Sequence, residues 1–302
     1  MYRRILITST IILMLLTMFS PVQAETKTLS VKSSDGVPIV YTDQGQGDIA
    51  LVFVHCWCCN KGFWDAQVPY FAKKYRVITL DLAGHGESGQ ERNEYTIQAY
   101  GQDVAVVINE LKLNKVILVG HSMGGPVSVA AALLIPGKVI GLIAVDTLPD
   151  LEMKITDEQA AGYMAPLEKN FAEGTRHFLS AFMFTPKSNP ELKEKIISSM
   201  SSSPSKVGLE SMKSMFKQNL AKMVEDAKIH IRCIDAEMNP ANLEAGKRHA
   251  LSYEVKTMKD VGHFLHMENP EEFNKLMDEA INSLTKNLTT LRRPGALLKN
   301  RP

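Results

Sequence analysis

Gly120-His121-Ser122-Met123-Gly124 is the stretch of this chain best suited to chemistry. Four apolar residues, Val116 to Val119, run straight into it, and an Ala/Val-rich segment of helical character follows from Val127 to Leu134. A buried strand ending in so tight a turn needs small flanks, which Gly120 and Gly124 supply. The turn pushes Ser122 out above the sheet edge on a strained backbone. Its hydroxyl then sits near the positive end of the following helix, where developing negative charge is stabilised. The five-residue pattern alone recurs by chance; strand before and helix after give it meaning.

A serine hydroxyl attacks only when a base takes its proton and a third group orients that base. The chain order expected around such an elbow is Ser, acid, His. Of eight histidines, His55, His85 and His121 fall in loops around the nucleophile and read as turn-bracing groups. His177, His230 and His249 have no motif context. His263, in Val261-Gly262-His263-Phe264, lies after a strand and just before the final helix, so it can reach back over Ser122. It is the expected base, with His266 as the fallback.

The elements that must hold these residues alternate. Leu29–Lys32 and Val37–Tyr41 flank Ser-Ser-Asp-Gly, a hairpin signature. Leu51–His55, Val77–Asp81, Val116–Gly120, Val139–Asp146, Ile229–Asp235 and Ser252–Met258 are short, largely apolar runs, as expected of strands covered on both faces. Tyr100, Val104, Val107, Ile108 and Leu111 share one helical face, as do Phe273, Leu276, Met277, Ala280, Ile281 and Leu284. Strands alternating with helices predict a mostly parallel sheet with right-handed crossovers. The alternation breaks between about Asp150 and Asp226, a helical stretch rich in Met, Ser and Lys that reads as a cap over the sheet edge. Met153, Met164, Met183, Met200, Met212, Met215 and Met223 there read chiefly as core packing, with a few lining an apolar pocket as the alternative. The expected layout is a core of residues 25–149 and 227–284, a cap of 150–226, and a basic, disordered tail of 285–302.

The first 24 residues carry Tyr2-Arg3-Arg4, an apolar run from Ile5 to Phe19 and Val22-Gln23-Ala24, a signal peptide pattern with its cleavage site. Without them 32 basic residues face 33 acidic ones, so net charge implies no nucleic-acid partner. The expectation is an exported protein, periplasmic or extracellular, with no stable membrane insertion after cleavage; nothing in the sequence fixes its oligomeric state. Export permits disulfides. Cys56, Cys58, Cys59 and Cys233 are read first as free thiols, second as carrying one disulfide, with zinc last because no second ligand pair accompanies them.

Taken together, His55-Cys56-Trp57, Asp81…Gly84-His85-Gly86…Ser88, Gly120-His121-Ser122-Met123-Gly124-Gly125 and Gly262-His263 before Glu268-Asn269-Pro270 resemble the α/β-hydrolase fold, over nearly all of Lys27 to Leu284. The resemblance implies an oxyanion hole from the amides of Met123 and Trp57, and no metal or organic cofactor. Two departures matter. Cys56 stands where the family usually has Gly. The usual acid position, at the end of Gly-x-x-Asp, is matched by Ala236-Glu237-Met238-Asn239, and an Asn cannot stabilise an imidazolium. Some members of the fold, such as haloalkane dehalogenases, carry the acid one strand after the nucleophile, where this chain has Asp146. A carboxylate closing an apolar strand needs a partner, which fits a histidine. Asp146 is therefore the expected acid, ahead of Asp235 and Glu237. The reading is a serine hydrolase of esterase or lipase-like type, cleaving a small to medium apolar ester, thioester or lactone through an acyl-enzyme. The alternative is a hydrolase-like ligand sensor with little turnover.

Overall fold

A computed structural model describes residues 27–290; the expected signal peptide and the final twelve residues of the basic tail lie outside them. Eight strands form one sheet: β1 (Lys27–Lys32), β2 (Pro38–Gln44), β3 (Ala50–Val54), β4 (Arg76–Leu80), β5 (Val116–His121), β6 (Val139–Val145), β7 (His230–Ala236) and β8 (Ser252–Met258). Their order is β1-β2-β4-β3-β5-β6-β7-β8. β2 runs antiparallel to both its neighbours, and every other pair from β4 to β8 is parallel. β3 and β5 are buried at every position, which is why they read as unbroken apolar runs. The strand pair β1–β2 is the hairpin that the Ser-Ser-Asp-Gly turn predicts.

Helices cover both faces. On one face lie Ile97–Glu110, capped by the Thr96 side chain, and Gly124–Leu134, with Tyr100, Val104, Val107 and Ile108 buried beneath them. On the other face the helix Pro270–Thr290 lies against β6, β7 and β8, and its Phe273, Met277, Ala280, Ile281 and Leu284 belong to one apolar layer with Trp64, Phe71 and the residues of β3 and β5 on that side. That helix continues six residues past Leu284, so the expected tail begins in helical backbone.

Between β6 and β7 stand five helices and no strand: Asp157–Lys169, Phe171–Phe182, Pro190–Ser201, Ser205–Phe216 and Leu220–Ala227. Four of them start on a Thr or Asn (Thr156, Asn170, Asn189 and Asn219) whose side chain accepts an amide of the first turn. Met164, Met200 and Met212 are buried in the core, and Met183, Met215 and Met223 pack against it. A groove of about 330 Å³ between the first two cap helices is lined instead by Tyr163, Leu167, His177, Phe178 and Phe182.

One buried ion pair ties the turn of the hairpin to the helix Ile97–Glu110, which carries Asp103. Arg92 grips the Asp103 carboxylate with two N–H groups at 3.0 and 2.6 Å. Asp103 also accepts the Ser33 hydroxyl at 2.6 Å and the Ala83 amide at 3.1 Å. Asp103→Ala leaves a guanidinium buried without its carboxylate, so a loss of about 3–5 kcal/mol is expected in chemical denaturation. Asp35→Ala, which removes the solvent-facing partner of the same arginine, is expected to cost about 1 kcal/mol or less.

Candidate active site

The elbow begins with glycines that have no room for a side chain. A Cβ on Gly120 would lie 2.3 Å from the Gly124 carbonyl oxygen, and one on Gly124 would lie 2.3 Å from the Val54 carbonyl oxygen at the end of β3. The first turn of the helix Gly124–Leu134 thus presses directly on the strand ends. Ser122 sits between them at φ 51°, in the left-handed region. Such a residue costs of order 1–3 kcal/mol unless its surroundings hold it. Here the Ser122 amide donates to Val145 O at 3.1 Å, and its carbonyl accepts Gly125 N–H at 2.9 Å and the Thr147 hydroxyl at 2.7 Å.

Asp146 follows β6 directly, also left-handed at φ 44°. Its side chain is fully buried, and three donors converge on it. His263 Nδ1 lies 2.5 Å from Oδ2, the Asn239 amide group donates to the same oxygen at 2.8 Å, and Ala236 N–H donates to Oδ1 at 2.8 Å. Three donors and no acceptor suit an ionised carboxylate. Asn239, at the position where an acid was expected and missing, holds the acid supplied by the neighbouring strand.

Asp235 is not brought to the histidine. It is buried, and neither oxygen forms a hydrogen bond among the described residues. Burial pushes its carboxyl up to about 8, with the Asp146 charge adding to the shift and the Thr147 amide, short of a formed hydrogen bond, pulling the other way. Burial and the absence of a donor therefore favour the protonated form of Asp235. Glu237 is exposed.

His263 donates its Nδ1 proton to Asp146, which leaves the Nε2 lone pair available as a base. Its loop meets the elbow through His121, the residue before Ser122: the His121 Nε2–H donates to His263 O at 2.9 Å, and the two rings lie 4.7 Å apart. Two other histidines brace turns. His55 donates from Nδ1 to Cys56 O and accepts Leu82 N–H at Nε2, and His85 donates to Ala83 O. Burial lowers His55, takes His85 and His266 down to about 3, and lowers His121 strongly. Among these five rings only His263 has a carboxylate partner.

Met123 and Trp57 are buried at the head of the helix and in the loop after β3. Among the described residues neither backbone N–H donates a hydrogen bond. Trp57 is pinned by its ring, which donates to Gly208 O at 2.8 Å and meets Phe171 and Phe178 edge-on from the cap. The cap also grips the histidine loop. Met183 O accepts His263 N–H at 2.9 Å, and Glu268 receives both Gly262 N–H and the Ser188 hydroxyl. Cys56 and Cys59 form a disulfide, which corrects the first reading of free thiols, while Cys58 and Cys233 stay buried and unpaired. The Cys-x-x-Cys spacing of Cys56 and Cys59 is the sequence signal for this bond.

The buried Asp235 makes a pH prediction. Its folded-state value lies above the ordinary carboxyl value of 3.8, so it adds no pH-dependent cost while both states are protonated. The cost grows as pH rises from about 4 toward 8. Asp235→Asn, neutral throughout, is expected to raise stability at pH 8 by about 1 kcal/mol or more and to leave it little changed at pH 4. Denaturant titrations at the two pH values check this; equal shifts at both would contradict it.

The α/β hydrolase fold family model matches residues 49–194. The chain is similar to a non-heme chloroperoxidase from Streptomyces lividans, 35% identical over 150 residues, 45% of this chain and 54% of that protein. It thus spans about half the length of that relative. With 3-oxoadipate enol-lactonase 2 from Acinetobacter baylyi it is 24% identical over 257 residues, covering 82% of this chain and 94% of the enzyme. Among solved structures, a thermophilic esterase from Thermogutta terrifontis superposes with a TM-score of 0.74 at 23% identity, over 85% of this chain and 99% of that one. Sheet order, elbow and family match agree: the chain belongs to the α/β-hydrolase superfamily.

Proposed function

We propose that this protein is a serine hydrolase that cleaves small to medium apolar esters, thioesters or lactones through an acyl-enzyme. The observation that carries the reading is the His263–Asp146 contact at 2.5 Å, formed by two loops that abut the strained Ser122. In this reading Ser122 Oγ attacks the carbonyl carbon while His263 Nε2 takes its proton. Asp146 keeps the ring in the tautomer that can accept, then stabilises the imidazolium. The Met123 and Trp57 amides receive the oxyanion; one such donor contributes about 2.7–4 kcal/mol in a well-studied case. His263 returns the proton to the leaving group, then takes one from the water that releases the acyl chain.

The apolar surroundings of Trp57, formed by Phe171 and Phe178, favour an apolar acyl group. Chloroperoxidase, enol-lactonase and esterase stand among the relatives, so lactones and perhydrolysis belong in any substrate panel. No helix among the described residues is long and apolar enough to cross a membrane. We further place the protein outside the cytoplasm, on the strength of residues 1–24. N-terminal sequencing of the protein recovered from its native host is expected to start at Glu25; a start at Met1 would contradict export by cleavage.

Short p-nitrophenyl esters and a lactone series provide the catalytic test. Ser122→Ala is expected to abolish multiple turnover. Asp146→Asn, folded, is expected to lower kcat by about 10³- to 10⁴-fold, and Asp235→Asn by less than about threefold. Near-normal kcat in Asp146→Asn would remove that residue from the proposed triad.

A further inference from the structure

The loop that carries Trp57 is closed on itself. Cys56-Trp57-Cys58-Cys59 forms a turn in which the Cys59 amide donates to Cys56 O at 3.2 Å. Its third residue, Cys58, has φ 56°, a conformation that glycine adopts freely and other residues resist. The disulfide joins the two ends of that turn, with Cα atoms 5.3 Å apart. The cap touches the same turn from above, through the Trp57 ring on Gly208 O and the Ser203 hydroxyl on Cys58 O at 3.2 Å. Those contacts hold the ring and the far carbonyl. The Cys56–Trp57 peptide, which presents the Trp57 N–H, is held at its carbonyl by His55 Nδ1–H at 2.8 Å and by the Cys59 amide at 3.2 Å, and the disulfide keeps the Cys59 end of the turn in place to make the second of these bonds.

The disulfide thus closes a turn whose third residue holds a backbone conformation that cysteine resists, and the Cys59 amide, one of the two donors on the Cys56–Trp57 peptide, belongs to the residue that the bond ties down. Burial pushes the Cys58 thiol far up, so the neighbouring cysteine has no thiolate with which to exchange.

We propose that the Cys56–Cys59 disulfide is a positioning element that holds the Trp57 amide toward the reacting carbonyl, so that the oxidised chain is the active form. This rests on the serine-hydrolase reading above. The chemistry is a two-electron reduction: a dithiol such as dithiothreitol passes two electrons and two protons to the bond, Cys56 and Cys59 become thiols, and the reagent closes to its cyclic disulfide.

The test uses the mature protein, oxidised and after dithiothreitol, with the thiol count under denaturing conditions rising from two to four as proof of reduction. On reduction kcat is expected to fall about 10- to 100-fold, with KM changing less than about twofold, and reoxidation is expected to restore it. The Cys56→Ser/Cys59→Ser double variant is expected to show the same loss and no response to dithiothreitol. Adding Cys58→Gly to that variant is expected to recover part of kcat, because glycine accepts the left-handed turn without the clamp. A purely structural bond would instead lower thermal stability while leaving kcat of the folded fraction unchanged, and that result overturns the proposal. Hydrogen exchange at the Trp57 amide decides the clamp apart from catalysis: it is expected to quicken at least about tenfold on reduction, and an unchanged rate overturns it. Oxidised wild-type protein without Ser122-dependent turnover would sink the functional reading, and the exchange measurement would still judge the clamp.

Discussion

A carboxylate at the end of an apolar strand is the constraint around which this site is arranged. Asp146 leaves β6 with its side chain out of water, and a charge in that position is stable only when donors surround it. The neighbouring strand supplies the Ala236 amide, the loop after it the Asn239 side chain, and His263 is the third. Removing any one leaves an oxygen of a buried charge less well matched. The β6–β7 pairing, the loop after β7 and the loop after β8 are therefore interdependent, and His263 is held beside the loop that carries Ser122 through the His121 bond to its carbonyl. Asp235, on the neighbouring strand, is also buried but lacks such donors, and burial together with the nearby Asp146 favours its protonated form.

The same edge of the sheet collects the strained backbone. Cys58, Ser122 and Asp146 are three of the seven non-glycine residues with positive φ among the described residues, and each lies in the loop that follows a parallel strand. Strain of this kind persists where packing over-determines it. For Ser122 the surrounding glycines and the Thr147 hydroxyl do so, for Asp146 its three donors, and for Cys58 the disulfide and the cap. Rigid strands beneath and five cap helices above leave these loops few alternatives.

Much of this was legible in the sequence for physical reasons. Apolar runs of strand length revealed the sheet because both its faces are covered, and the glycines of the elbow revealed themselves because backbone atoms lie where their side chains would go. Asp146 could be singled out because an ionisable residue closing an apolar strand demands a partner. Asn239 was visible only as a missing acid, since its service to Asp146 depends on how two loops converge. The disulfide was missed because pairing across three residues depends on a left-handed turn at Cys58, which cysteine's intrinsic preferences argue against. How the cap lays aromatic side chains over Trp57 is likewise a matter of long-range packing: Trp57 bonds to Gly208, 151 residues away.

In the proposed chemistry, Ser122 is activated through His263 by Asp146. Reaction with a fluorophosphonate, followed by peptide mass spectrometry, tests this without knowledge of the natural substrate. A single adduct on Ser122 is predicted, forming at least about 100-fold more slowly in Asp146→Asn than in the parent protein. An adduct on another residue, or equal labelling rates in parent and Asp146→Asn, would contradict it.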